Sequence, residues 1–419
     1  MQVGSQEKSV VSENDAPLPG RWLNRNVIGM GLTSLLCDAG HEMATAILAG
    51  FLAVIGAPVY SLGIIEGVAD ALSSFLKLGT GWWSDRLGHR KAITTAGYAL
   101  TGCAFALFAL ASSWPLVLLG RVVAWFGRGI RGPLRSAMLA ESVAPSDRGK
   151  AFGFHRASDT LGAILGPLLA AGLMFLLQPY ASENRSVPFR IIFLLTLVPG
   201  LGSALVFGLI VKEKRRPASH GVKFWTSIRA LPTNFRRFLV GVGVFGAGDF
   251  SPTLLILAAT QLLTASHGAV TAAQIAALLY AWRNVLYAAA SYPVGALSDR
   301  FGRRGILLFG YALGALVMIG FIIAFLTHTS SIVWLGVLFA LAGVFIAIED
   351  SLEGAMTADL VADESNRGTA YGVMGTVNGV GDFLSSAIVG LLWSFNPQAG
   401  FLYAAVAMLL GAVLLVRVR

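Results

Sequence analysis

Charge is what this sequence of 419 residues has least of. Charged residues make up 13% of it, where an average soluble domain carries about 25%. Apolar residues reach 55%, a balance that argues against a soluble enzyme. Cysteine is almost missing: Cys37 and Cys103 both lie in apolar stretches, so neither a disulfide framework nor a zinc site is indicated. No Gly-Lys-Ser/Thr phosphate loop is present, which excludes ATP as a direct energy source. Neither a Ser/His/Asp constellation nor a metal-hydrolase motif stands out, so no enzyme activity, catalytic residue or bound cofactor is expected. Residues 1–25 are polar, without the apolar core and small-residue cleavage site of a signal peptide, and read as a cytosolic tail.

Long apolar runs are what the chain does have. A membrane-crossing helix needs about 20 mainly apolar residues. Twelve candidate spans follow, at roughly 27–56, 59–81, 92–112, 115–139, 150–178, 189–211, 238–263, 273–297, 305–327, 331–358, 368–392 and 398–416. The net charge of +9 would suggest nucleic acid in a soluble protein, but its placement points elsewhere. With both termini inside, most lysines and arginines fall on the cytoplasmic side, and the outer loops hold only Arg185 and Arg190. The basic balance therefore reports topology, and no nucleic-acid partner is expected. The charged stretch 212–237 divides two six-helix halves, 26–211 and 238–419.

The halves repeat each other. Gly81-Trp-Trp-Ser-Asp85-Arg86-Leu-Gly88-His-Arg90 returns as Gly295-Ala-Leu-Ser-Asp299-Arg300-Phe-Gly302-Arg-Arg304. Further on, Ala137-Met138-x-Ala140-Glu141 matches Ala355-Met356-x-Ala358-Asp359, and Arg148-Gly149 matches Arg367-Gly368. Both copies start on the same side of the membrane, a parallel duplication about an axis along the membrane normal.

The doubled Gly-x-x-x-Asp-Arg-x-Gly-x-Arg loop resembles the signature of the major facilitator superfamily, and the likeness covers residues 25–419. It implies an all-α membrane protein of twelve helices in two pseudo-symmetric six-helix bundles, with both termini cytoplasmic. It also implies a secondary transporter whose loops latch the cytoplasmic gate. Glu141 with Arg148, and Asp359 with Arg367, would be the loops' partners. Gly162-x-x-x-Gly166-Pro167 on span 5 is similar to the Gly-Pro motif of antiporter branches, which favours export over uptake. Small residues there also permit ordinary close packing. On span 4 the glycines following Arg121 depart from the drug-exporter pattern, and Gly127-Arg-Gly-Ile-Arg-Gly132 looks like a poorly characterised prokaryotic branch.

Where charges sit inside the spans is informative in its own right. Spans 3, 6, 9 and 12 hold no Asp, Glu, Lys or Arg in their interiors. Intramembrane charges face a bundle interior or an aqueous cavity, so every third span should be peripheral. Asp38, His41 and Glu42 stand midway along span 1 at i, i+3, i+4 and are expected on one face. With Asp70, Asp159, Asp249, Arg128 and Arg283 they form the candidate coupling and substrate cavity. Glu66 shares the Asp70 face, and the repeat makes His41 and Asp249 equivalent. Arg121, Arg128, Arg131 and Arg135 stripe span 4, and span 10 answers with Glu349, Asp350 and Glu353. Repeat alignment sets Arg131 opposite Glu349 and Arg135 opposite Glu353 as gate pairs across the halves.

The expectation is a proton-driven exporter of a small organic molecule, monomeric, multi-pass in a bacterial cytoplasmic membrane, with the lipid bilayer as its other partner. Three alternatives stay open. One is transport of a metal ion or chelate on Asp38, His41, Glu42 and Asp249; another is uptake of a small anion; the third is a membrane sensor without transport. Trp125 and Trp282 are read as packing residues that could instead line the cavity.

Overall fold

The computed structural model describes residues 22–84, 90–144, 148–182, 184–213, 231–361 and 364–418. Every regular element among them is helical. The amino-terminal half contains α1 (Arg25–Val54), α2 (Tyr60–Ser84), α3 (Arg90–Ala106), α4 (Trp114–Glu141), α5 (Arg148–Leu176), α6 (Val187–Leu195) and α7 (Leu197–Ile210). The carboxy-terminal half contains α8 (Thr233–Gly246), α9 (Pro252–His267), α10 (Ala269–Phe301), α11 (Arg303–Leu326), α12 (Ile332–Leu360), α13 (Glu364–Trp393) and α14 (Pro397–Leu415). Eight helices among the described residues are long and apolar enough to cross a membrane. Helices α2 and α4 carry charged residues (Glu66 and Asp70 on one, the arginine stripe on the other) that lower their apolar character.

Two segments expected as single spans are broken. The α6–α7 junction falls at Thr196, whose hydroxyl donates to the Phe193 carbonyl at 2.6 Å. The α8–α9 break covers residues 247–251 and ends at Pro252, which has no N–H to extend the helix backwards. Backbone groups freed inside a bundle must find partners, and α13 supplies them. The Ser385 hydroxyl donates to the Asp249 carbonyl at 2.6 Å, and the Ser386 hydroxyl accepts from the Ser251 N–H at 3.0 Å.

Helices α3, α6, α7, α11 and α14 pack within their own halves, as the charge-free spans predict. Contact between halves falls to α1, α2 and α5 on one side and α9, α10 and α13 on the other. The α2–α13 seam is built on absent side chains. A Cβ at Gly63 would overlap the Ser386 carbonyl oxygen and lie 2.9 Å from the Gly390 Cα; one at Gly67 would lie 2.8 Å from the Phe383 carbonyl. At Gly379 it would run into Ser74. Further along the same helix, Gly375 has open space, as do Gly153 on α5 and Gly295 on α10. The halves thus meet backbone to backbone toward the end carrying the α1–α2 turn, where Gly56 has φ +73°, and are joined by side-chain contacts such as Arg156 with Asp350 toward the end carrying the α2–α3 connection.

Overpacking a tight contact costs about 1–3 kcal/mol. Gly63→Val is expected to lower the stability of detergent-purified protein by that amount in thermal unfolding. Gly375→Ala, in open space, should be neutral or slightly stabilising.

Candidate functional site

The most deeply buried charges form a knot in the amino-terminal half. Arg121 on α4 meets Glu66 on α2 at 2.7 Å, with side chains 2% and 1% exposed. The Arg121 guanidinium stacks 3.9 Å from the Trp125 ring and donates to the Thr45 hydroxyl on α1 at 3.3 Å. Trp125 in turn donates from its indole N–H to Asp70 at 2.6 Å. Across the seam, the Ser251 hydroxyl from the α8–α9 break donates to the same Glu66 oxygen at 3.2 Å. Trp125 is thereby a packing and positioning residue, while Trp282 is half exposed on the outside of α10 and bonds the Gly336 carbonyl.

Asp38, His41 and Glu42 stay together on α1, with His41 Nδ1 3.8 Å from Glu42 Oε1, but they reach different neighbours. His41 turns into the core of its own half, its ring 4.8 Å from Trp125 and 5.5 Å from Phe105. Glu42 instead faces the Tyr280 hydroxyl of the other half. Asp38 stands within electrostatic range of Arg131 and Asp159. Asp38 and Glu42, at i and i+4, share a side of α1, while His41 lies at the edge of that side and leans into the core. Asp159 on α5 accepts from Ser34 and lies 3.4 Å from His155. The Gly162 and Gly166 positions are where α5 meets α1. A Cβ at Gly162 would sit 2.5 Å from the Leu35 carbonyl, and one at Gly166 2.6 Å from the Ala39 carbonyl. Pro167 follows inside α5. The motif holds the α1 carboxylates against the interface.

In the other half, Asp249 lies in the α8–α9 break, its carboxyl within hydrogen-bonding reach of Glu349 on α12. It lines a pocket of 130 Å³ together with Asp70, Arg283 and Asp382. Among the described residues no group of three or more His, Cys, Asp or Glu side chains is placed to hold a metal ion. Of the set expected for metal, His41 and Glu42 lie 3.8 Å apart on α1 near Asp38, whereas Asp249 stands in the break of the other half.

The gate residues also take other partners. Arg131 stacks 4.2 Å from the Tyr98 ring and Arg135 reaches Ser34 at 3.5 Å. Glu353 accepts from the Tyr311 hydroxyl at 2.6 Å and the Asn378 amide at 2.8 Å. The Arg131–Glu349 and Arg135–Glu353 pairs are therefore not formed in this arrangement of the halves. Glu141 pairs with Arg90 at 2.7 Å and Asp359 with Arg303 at 2.8 Å, so each acid meets an arginine of its repeated loop as expected; the side chains of Arg148 and Arg367 lie outside the described residues. Asp85, Arg86 and Gly88 also lie outside them, as do the surroundings of Gly81 and the side chain of Asp299. Gly302 turns the chain between α10 and α11 at φ +88°, a conformation that suits glycine. Arg300 is exposed beside it, and Arg304 reaches the Val416 carbonyl. A polar link does cross the halves here: Arg156 on α5 meets Tyr287 on α10 and Asp350 on α12, the last at 3.2 Å.

Tyr280, Asn284 and Tyr287 were missed in the sequence. With Arg283 they occupy i, i+3, i+4 and i+7 of α10, a polar stripe that could have been read. Asn284 donates to the Ala163 carbonyl of α5 at 2.8 Å, a further tie between halves.

The family model described as Major Facilitator Superfamily matches residues 30–264 and 238–419. The chain belongs to the major facilitator superfamily. An uncharacterised MFS-type transporter of Methanocaldococcus jannaschii is 34% identical over 415 residues, covering 99% of this chain and 98% of that protein. Multidrug resistance protein 2 of Bacillus subtilis is 25% identical over 340 residues, 79% of each chain. Among solved structures, a bacterial homologue of the human lysosomal transporter Spinster, inward-facing and occupied, superposes with a TM-score of 0.69. It is 19% identical, and the match covers 93% of this chain and 94% of that one. This is a membrane transporter with the superfamily fold, and family and fold are those of carriers and not of enzymes.

Removing one partner of a buried ion pair costs about 3–5 kcal/mol, because the other charge is left uncompensated. Glu66→Gln and Arg121→Gln should each destabilise the protein by that amount, and the double variant by clearly less than the sum. A double-mutant cycle in thermal unfolding measures it. Strict additivity would show that the two groups do not support each other.

Proposed function

We propose that this protein is a proton-coupled exporter of a small organic molecule, built of twelve membrane-spanning helices with both termini in the cytoplasm. Breaks inside α6–α7 and α8–α9 leave each pair as one crossing, which makes the helix order compatible with twelve spans. The lysine and arginine bias then puts the end carrying the α2–α3 connection on the cytoplasmic side. A bacterial cytoplasmic membrane and a monomeric carrier fit this reading.

One observation carries it: charged side chains of both signs occupy the space between two halves that meet backbone to backbone at one end and through side-chain contacts at the other. A carrier works by rocking such halves about a central site. The glycine seam of α2 and α13 supplies the outer seal. The span-4 arginines and span-10 carboxylates would meet when the cytoplasmic end closes in its turn. The Arg156–Tyr287–Asp350 link already bridges the halves at this level.

Coupling needs a carboxyl whose surroundings alternate between a wet vestibule and a closed interior, so that it binds a proton in one state and releases it in the other. Asp38, Glu42 and Asp159 occupy such positions on the α1–α5 wall, with Asp70 and Asp249 behind them. Export is supported by the α5 Gly-Pro segment and by the similarity to a protein named for multidrug resistance.

The test is proton release. Purified protein in unbuffered solution, challenged with a panel of small organic compounds, should release protons with the compound it carries. Asp38→Asn should cut that signal at least tenfold. In proteoliposomes the same compound should move against an imposed pH gradient and stop when a protonophore collapses it. Binding without any proton change would overturn proton exchange for that compound.

A further inference from the structure

The pocket at the α8–α9 break is lined by two opposite charges, Asp249 and Arg283, that feel each other's field without forming a close ion pair. Arg283 is 8% exposed, and its Nε has no hydrogen-bond partner among the described residues. A terminal nitrogen donates to the neighbouring Asn284 side chain at 3.1 Å. Neither Arg283 nor Asp249 has an ion pair within 4.0 Å among the described residues. Both nonetheless line the same 130 Å³ space. Beside Asp249, the Oε2 atom of Glu349 is also buried without a partner, in a side chain that is 9% exposed. Asp70 contributes to the lining but is engaged by the Trp125 indole.

Buried charges are stable when each meets an opposite charge and its hydrogen bonds are filled. Here that could be done by one ligand group carrying both signs a few bonds apart. An ammonium has three N–H donors, enough to bridge Asp249 and Glu349, while a guanidinium presents a fork that matches a carboxylate. Drug-sized ligands occupy pockets of about 300–1,000 Å³, so this one accommodates a head group only. Phe250, Phe345 and Met318 give it apolar walls. We propose that the pocket receives the zwitterionic head of an α-amino acid, its ammonium on Asp249 and Glu349 and its carboxylate on Arg283, with the side chain extending into the space between the halves. The proposal deepens the carrier reading and rests on it for the claim that the bound molecule is a substrate.

The probes are the proteinogenic amino acids, each compared with its decarboxylated amine and its deaminated acid. The readout is the unfolding midpoint of the full detergent-purified chain across a concentration series. At least one amino acid should raise the midpoint, and its amine and its acid should each bind at least about tenfold more weakly, the loss expected for one charged hydrogen-bonded contact. Asp249→Asn and Arg283→Lys should each weaken the amino acid by a similar factor; lysine keeps the charge but loses the fork. Should either variant fail to fold, the wild-type comparison of amino acid, amine and acid decides alone. The assignment is overturned if no amino acid raises the midpoint, if the amine or the acid equals the amino acid, or if both folded variants keep full affinity. Selective amino-acid binding without flux in proteoliposomes would leave the site and remove the carrier reading. Flux of a compound lacking one of the two charges, with no amino-acid binding, would do the reverse.

Discussion

A carboxylate inside a bundle surrounded by hydrocarbon must be met by a donor from the protein or by water admitted to a cavity. That requirement sorts the helices of this molecule. Those without internal charge, α3, α6–α7, α11 and α14, pack within their own halves; the others gather around the axis and meet their opposite numbers. It also explains the Glu66–Arg121 knot. Two ions buried this deeply are supported by each other and by contacts from Thr45, Trp125 and Ser251. Since Ser251 belongs to the other half, the knot adds a polar tie to the seam that seals the end carrying the α1–α2 turn.

The two ends of the molecule are held by different physics. At the sealed end the glycines of α2 and α13 bring backbone against backbone, a contact of dispersion and close fit that loses most of its strength over a fraction of an ångström. At the other end the contacts are exposed and charged, typified by Arg156 and Asp350, which are more than half exposed. Charged contacts of that kind are weak in a wet vestibule and gain strength once water is excluded. A seam that is either fully packed or lost, opposed by a latch that strengthens on drying, favours two discrete arrangements over a continuum.

Much of this was legible in the sequence, and the part that was not has a geometric cause. The duplication, the peripheral spans and the polar path follow from which residue types occur at which spacing. Partner choice does not. Arg131 and Glu349 align across the repeat, but alignment is blind to whether the halves are together or apart at their level. His41 and Glu42 are neighbours in sequence, but the turn between them sends one to Trp125 and the other toward Tyr280. Helix α8–α9 reads as a continuous apolar run because the serines that satisfy its break lie on α13, far along the chain.

The Ala39-Gly40-His41 and Ala247-Gly248-Asp249 segments show how two similar halves come to hold an asymmetric site. Both glycines do the same work, bringing their helix against the last helix of its own half. A Cβ on Gly40 would sit 3.2 Å from Pro199 on α7, and one on Gly248 2.6 Å from the Ala404 carbonyl on α14. Three residues past His41 stands Ala44, and three past Asp249 stands Pro252. Alanine lets α1 continue, so His41 is held at a fixed angle and folded into the core. Proline ends that possibility in the other half: the chain opens, its backbone is taken up by Ser385 and Ser386, and Asp249 is released toward the axis beside Arg283. Had both copies kept alanine, the central pocket would lose the break that exposes Asp249. Had both acquired proline, α1 would lose the unbroken surface on which Gly162 and Gly166 pack. The function-bearing difference between the halves thus turns on whether one residue can donate a backbone hydrogen bond.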